Sequence, residues 1–305
     1  MGIRRAAAAA FAMAMLLVAC SSASESGAAG TEPATPTPAL EPVDGLTATI
    51  VQYTRDRPAR VVQVKIANTS DETIDVTLVE PRLQGFDAAQ PPDQTSHLTP
   101  DRRVDFPVAI GEPSCDGQTE ADSEIVVDAT TGDGASRRGR VPIDDEDGLI
   151  PRVHKLDCDV QRVEETVDIT VADTWRQVGE GADAAVVGHV AMELRPDGGS
   201  ARVADLDAGL LLRVVSGRPG RDGANDATYV VDADQPNTGW DVELVGARCD
   251  GHAIAESRRL MALTFRVSVD GGEPVPLRRQ PTVDGYNTMV AALLERCESR
   301  SQPEG

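Results

Sequence analysis

Along most of the chain, apolar residues alternate with polar ones instead of recurring at helical spacing. Val62, Val64 and Ile66 form one such run, Ile74, Val76 and Leu78 a second, and Val104, Phe106, Val108 and Ile110 a third. A period of two places every apolar side chain of a run on one face of a pleated strand, so these runs predict half-buried β-strands. Asn68-Thr69-Ser70-Asp71-Glu72 separates the first two, and short polar side chains of this kind bond their own backbone and turn the chain into a hairpin. Helical spacing shows in two places. Leu149, Val153 and Leu156 fall at i, i+4 and i+7 before Cys158, and Met289, Val290, Leu293 and Leu294 do much the same before Cys297. Each predicts a short helix.

The pattern repeats. Cys115-Asp116-Gly117 recurs 134 residues later as Cys249-Asp250-Gly251. At the same offset Val141-Pro142-Ile143 matches Val275-Pro276-Leu277, while Phe106, Val108 and Ile110 match Trp240, Val242 and Leu244. Asp147-Gly148 then answers Asp284-Gly285, with the register slipped by three. Both units run strands, Cys-Asp-Gly, strand, Val-Pro, short helix, Cys. Internal self-similarity on this scale marks a duplicated structural unit.

The first residues follow another rule. Arg4 and Arg5 precede an apolar run from Ala6 to Ala19, which gives way abruptly to Ser21-Ser22-Ala23-Ser24. The run is shorter than the roughly twenty residues a membrane-spanning helix needs, and its layout is that of a signal peptide. It ends in Leu17-Val18-Ala19-Cys20, which resembles the lipobox of bacterial lipoproteins. The resemblance implies diacylglycerol on the Cys20 thiol, cleavage before it, and a partner in the membrane itself, on its extracytoplasmic face. Two acyl chains anchor firmly, since each buried methylene contributes about 0.8 kcal/mol. The general secretory route is favoured, because nothing of a twin-arginine signal beyond Arg4-Arg5 is present. Residues 21–44 carry Pro33, Pro36, Pro38 and Pro42 among Ser, Ala, Gly and Thr, a composition expected of a tether.

Four further cysteines remain: Cys115, Cys158, Cys249 and Cys297. Their spacing fits no Cys-x-x-Cys metal site, and in an oxidising compartment an even number predicts disulfides. Three pairings are possible in principle. A duplicated unit closes its own loop, which selects Cys115 with Cys158 and Cys249 with Cys297. The expected layout is a signal peptide (1–19), a lipidated tether (20–44), β-domains at 45–160 and 161–298, the second opening on Val167-Ile169-Val171, and a polar tail (299–305). The expected class is all-β, with two tandem immunoglobulin-like β-sandwich domains, each carrying one short helix near its C-terminal cysteine. The whole chain also resembles uncharacterised lipoproteins of high-GC Gram-positive bacteria that carry Cys-Asp-x-His-Ala-x-Ala-Glu, here Cys249 to Glu256. That resemblance brings no activity with it.

Charge narrows the functions. The chain has 29 Lys and Arg against 50 Asp and Glu, a net charge of −21, and losing Arg4 and Arg5 with the signal peptide makes it about −23. Such a surface repels phosphodiester backbones, so nucleic acid is excluded as a partner. High net charge also keeps a protein dispersed, and solubility accounts for it without a cation-binding role.

Candidate chemistry is sparse. Asp250, His252 and Glu256 lie within seven residues, and on a helix His252 and Glu256 share a face, so the three form a candidate site for zinc or another divalent ion. The equivalent positions of the first unit are Asp116, Gln118 and Asp122, an amide replacing the imidazole. The competing reading is a turn beside the disulfide, with Asp250 bonding local backbone and Arg258 and Arg259 balancing Glu256. Asp144, Asp145, Glu146 and Asp147 before Gly148 resemble a calcium loop, but an EF-hand would need oxygen ligands at Ile143 and His154. Gly179-Glu180-Gly181-Ala182-Asp183-Ala184 precedes a strand pattern, not the helix a dinucleotide fingerprint requires. No Gly-x-Ser-x-Gly, His-Glu-x-x-His or phosphate loop occurs, and His97, His154 and His189 are scattered. Trp240 takes the repeat position of Phe106 and is expected in the core. Trp175 and Tyr229 lack a counterpart and are candidates for a recognition patch, with burial as the alternative. These features predict a non-enzymatic, cofactor-free module that binds another envelope protein or component. The alternative is a metal-binding protein or metal-dependent enzyme built on Asp250, His252 and Glu256.

Overall fold

The computed structural model describes residues 40–91, 94–117, 122–217, 229–257 and 261–301, all within one contact unit, Leu40–Gly305. Cys20, the signal segment, most of the tether, Gln118, Arg258 and Arg259 lie outside the described residues.

The strands of the N-terminal half are β1 (Leu46–Val51), β2 (Val61–Asn68), β3 (Ile74–Arg82), β4 (Thr95–Leu98), β5 (Arg103–Ala109), β6 (Glu124–Thr131) and β7 (Ser136–Asp144). Those of the C-terminal half are β8 (Val167–Val171), β9 (Arg176–Val178), β10 (Ala185–Leu194), β11 (Ala201–Asp207), β12 (Leu212–Ser216), β13 (Tyr229–Val231), β14 (Asn237–Gly246), β15 (Leu263–Val269) and β16 (Val275–Arg279). The helices among the described residues are α1 (Leu149–Thr166), α2 (Gly251–Ser257) and α3 (Val283–Ser301). The molecule is thus mostly β-sheet.

In the first half the strand order is β4-β3-β6-β7-β1-β2-β5, closed at the seam by a parallel β7–β1 pair. Both ends of this order send alternate residues into one cluster: Val62, Val64, Ile66, Phe106 and Val108 from one layer, Val76, Leu78, Ile125, Val127 and Val141 from the other. The second half has two sheets, β12-β14-β10-β8 and β13-β11-β15-β16, around a separate cluster that includes Val190, Met192, Trp240, Leu244, Val203, Phe265 and Leu277. Each half is β-sandwich-like, with a largely aliphatic interior. Matching β1, β2, β3, β4, β5, β6 and β7 to β8, β10, β11, β13, β14, β15 and β16 preserves both chain order and hydrogen-bonded neighbours, apart from the β7–β1 pair. Strands β9 and β12 are additions of the second half.

The hairpin turn after β2 is built on Asn68. Its Oδ1 accepts from the Ser70 N–H at 2.9 Å, and its Nδ2 donates to the carbonyls of Glu72 at 2.7 Å and Leu98 at 2.8 Å. An amide only 1% exposed therefore ties the turn to β4.

The two bridges are Cys115–Cys158 and Cys249–Cys297, closing loops of 43 and 48 residues. On the chain-entropy account each contributes about 4 kcal/mol.

Two expectations are corrected, and one acidic segment gains a role. The helices beside the cysteines are not short: α1 has 18 residues and α3 has 19, so α3 runs into the expected tail and α1 runs through the boundary expected at 160/161. The last tether residues belong to the fold, because the Arg140 N–H donates to the Glu41 carbonyl at 3.0 Å, the Val43 N–H donates to the Arg140 carbonyl at 2.9 Å, and Val43 is buried. The acidic loop 144–147 starts a helix: the Asp145 carboxylate accepts from the Leu149 and Ile150 N–H groups at 2.7 and 2.8 Å, satisfying donors a helix N-terminus leaves open.

Helix α1 serves both clusters. Ile150 is buried in the first and Val163 in the second, each 1% exposed. Arg60 holds Asp157 at 2.8 Å on the first side, and Arg279 holds Glu164 at 2.9 Å on the second. One helix is the last element of one sandwich and leads directly into the first strand of the next.

Candidate functional site

A hollow lies where α1 passes the β15–β16 hairpin. It encloses about 280 Å³ and is lined by Lys155, Leu156 and Arg162 of the helix and by Val269, Pro274 and Pro276 of the hairpin. A second hollow of about 420 Å³, lined by Arg202 and Ser268 among others, adjoins it across Gly272 and Pro274.

The repeat explains this groove. Pro274 stands at the position of Arg140, whose N–H and carbonyl both bond the extended segment Glu41–Val43. Proline has no N–H, so an extended lead-in would find no donor there. Pro276 in β16, an edge strand where proline is tolerated, has its counterpart in Pro142, so Pro274 is the position that differs. The lead-in to β8 is accordingly α1, which satisfies its own backbone. A cylinder against a pleated edge leaves a gap, and the apolar floor of that gap is exposed.

Leu156 was expected on the buried stripe of its helix with Leu149 and Val153. Instead it is 42% exposed at the mouth of the groove. Around it Lys155 pairs with Asp159, and Arg162 lies 3.6 Å from the same carboxylate. An apolar floor with a rim of both signs can take one aliphatic or aromatic side chain of a protein partner and orient it by charge.

The residues singled out from the sequence fall elsewhere. Asp250 starts α2: its Oδ1 accepts from the Ala253 N–H at 2.8 Å and its Oδ2 from Arg248 Nε at 3.1 Å. The Ala253 N–H first, and then the Arg248 charge, hold this carboxyl below the usual carboxylate range. His252 and Glu256 lie one turn apart on α2, His252 exposed and the Glu256 side chain outside the described residues. Among the described residues, no group of three or more His, Cys, Asp or Glu is placed to hold a metal ion.

Of the two readings held for these aromatics, the structure puts Trp175 in the core and leaves Tyr229 half-buried. Trp175 is 6% exposed, its ring pressed on Gly188 and Gly285, where added Cβ atoms would lie 2.5 and 2.7 Å away. Tyr229 is half-buried and stacks on Trp240, ring centres 3.7 Å apart. Both belong to the packing of the second sandwich, which needs large rings because aromatics are scarce. His97 and His189 face Asp75 and Asp241 directly across their ladders, at 2.6 and 3.0 Å. His154 lies on α1 under Phe86, beside the first disulfide.

Sequence reasoning missed the groove. Its signal was Val160 and Val163, which continue from Leu156 at i+4 and i+7 and form a second stripe turned away from that of Leu149 and Val153.

No protein-family model matches the chain, and no curated protein matches it. Solved structures similar to it include the YadV chaperone, with 10% identity and a TM-score of 0.19 over 77% of this chain and 98% of that one. Another is a protein of unknown function from Porphyromonas gingivalis, with 12% identity and a TM-score of 0.22 over 77% and 97%. A third is the CupB2 chaperone of Pseudomonas aeruginosa, with 12% identity and a TM-score of 0.17 over 72% and 92%. Superpositions this loose carry no functional argument.

Proposed function

We propose that this chain is an exported bacterial lipoprotein, held at the extracytoplasmic face of the membrane by lipid on Cys20. Its two tandem immunoglobulin-like sandwiches act as a non-enzymatic binding module for another envelope protein. The strand order β4-β3-β6-β7 opposite β1-β2-β5, repeated in the second half, supports the immunoglobulin-like assignment.

The observation that carries the binding reading is α1. A helix anchored in both cores makes one firm platform from two sandwiches, and the groove with exposed Leu156 sits on it. Preorganised surfaces of this kind bind with little ordering cost.

Two measurements test the proposal. Cys20→Ala should abolish incorporation of labelled palmitate and release the protein from the membrane fraction; retained label excludes the anchor. A photo-reactive benzoyl-phenylalanine at position 156 should yield one discrete adduct in intact envelopes, where the same probe at the exposed residue Leu210 yields none. Equal adducts at both positions, or none at 156, would remove the groove as a protein-binding site.

A further inference from the structure

The two disulfides are chemically unequal. Cys115 is exposed, and among the described residues its Sγ lies beside acceptors, the Gln161 Oε1 at 3.3 Å and the Pro113 carbonyl at 3.9 Å. Cys158 is its opposite: one turn earlier on α1, the Nε2 of His154 lies 3.6 Å from the Cys158 sulfur. The same Nε2 is 3.2 Å from the Ser114 carbonyl, an obligate acceptor, and that contact puts the ring proton on Nε2. That N–H is held by the Ser114 carbonyl within 3.6 Å of the Cys158 sulfur, so a thiolate formed there competes for it with a neutral acceptor. In the second bridge Cys249 is exposed too, so the difference lies in the leaving sulfur: Cys297 is a buried residue, 9% exposed, and its Sγ faces the Arg248 carbonyl at 3.9 Å, so burial and an acceptor both oppose a thiolate there.

We propose that Cys115–Cys158 is a thiol–disulfide exchange site, whose substrates are small or protein dithiols. The incoming thiolate bonds to the exposed Cys115 Sγ. The S–S bond breaks with its electron pair on Cys158 Sγ, and this thiolate is met by the His154 N–H before it takes a proton from solvent. The second thiol of the same reductant then attacks the mixed disulfide and displaces Cys115, which is protonated in turn. Two electrons and two protons pass to the cysteine pair, and the dithiol leaves as a disulfide. Exchange is faster when the leaving sulfur is the better-stabilised thiolate, which fixes both the polarity of attack and the order in which the bridges open. Arg60 with Asp157, and Phe86 against His154, keep α1 seated once the bridge is open. The site is independent of the groove.

The test is made on the oxidised full chain with dithiothreitol, quenched at intervals with N-ethylmaleimide and mapped by peptide mass. Cys115 and Cys158 should be labelled about tenfold faster than Cys249 and Cys297, before any change in circular dichroism. His154→Phe should slow the first bridge by a similar factor and leave the second unchanged, with His154→Gln, which keeps a donor, in between. With glutathione, a monothiol, the trapped adduct should sit on Cys115. Equal rates for the two bridges, a second bridge that opens first, an unchanged rate in His154→Phe, or an adduct on Cys158 would each overturn the assignment.

Discussion

Replacing Ile150 with Ala tests whether α1 couples the two sandwiches. The side chain is 1% exposed and packs in the first cluster only. Truncation to Ala removes about three buried carbons, roughly 2.4 kcal/mol at 0.8 kcal/mol each, and an unrelaxed cavity brings the cost to about 3 kcal/mol. Both tryptophans, Trp175 and Trp240, lie in the second cluster, so intrinsic fluorescence is blind to the first. Once the N-terminal turns of α1 lose their support, the remainder is too short to persist as a helix, and Val163 and the Glu164–Arg279 pair lose their seat. The fluorescence-detected urea midpoint should therefore fall, by about 1 M at a slope of about 3 kcal/mol per molar, in step with far-UV circular dichroism. A two-step dichroism curve with an unmoved tryptophan transition would show that each sandwich unfolds alone, and the coupling argument would fail.

Asn68→Ala strips partners from the carbonyls of Glu72 and Leu98 and should cost about 3 kcal/mol in thermal melts, while Asn68→Asp, which sets a carboxylate against those carbonyls, should do no better. Gly188→Ala places a methyl 2.5 Å from the Trp175 ring, so a loss of about 1–3 kcal/mol with a red shift of tryptophan emission is expected; an unchanged spectrum would contradict the tight packing. The Glu295 carboxyl is held below its usual value of 4.5 first by the Gly181 N–H and then by Gln177. A lowered folded-state pKa means its stabilising effect is complete above about pH 4.5 and disappears as pH falls through the folded value, so melts from pH 6 to pH 3 should show a shallower acid decline in Glu295→Gln than in the parent. Superimposable decline curves would rule this out.

The sequence carried the strands well wherever one face is buried and the other wet, as in β2, β3 and β5, because alternation is then enforced at every residue. It carried the repeat because Cys-Asp-Gly and Val-Pro are rare combinations whose spacing survives changes in the residues between them. Helix α1 was harder to read. Its stripe serves two cores in different directions, Ile150 and Val153 one way, Val160 and Val163 the other, so neither looks long on its own. Trp175 was left between a recognition patch and the core because what buries it are two glycines, Gly188 and Gly285, far apart in the chain. A glycine within a strand run is a known sign of close approach, and Gly188 in β10 is such a case. Asp250 was read more nearly correctly as a local backbone acceptor than as a ligand.

One difference between the halves accounts for most of what distinguishes the second. Where the first half has Arg140, β7 offers an N–H and a carbonyl on its side away from β6, and an extended lead-in closes the seam by hydrogen bonds. Where the second half has Pro274, that donor is missing, while Pro276 only matches Pro142 of the first half. A lead-in that needs nothing from the edge is then required, and a helix meets that need because its backbone bonds are internal. The seam is closed instead by a side chain, the Arg279 Nε donating to the Ile169 carbonyl at 3.0 Å while its Nη1 holds Glu164. A helix in that position must also reach back to the first sandwich, which places Ile150 in one core and Val163 in the other. The exposed groove and the firm joint thus have a common origin: the donor missing at Pro274, just before β16, leaves the gap there, and the helix that replaces the strand spans the junction.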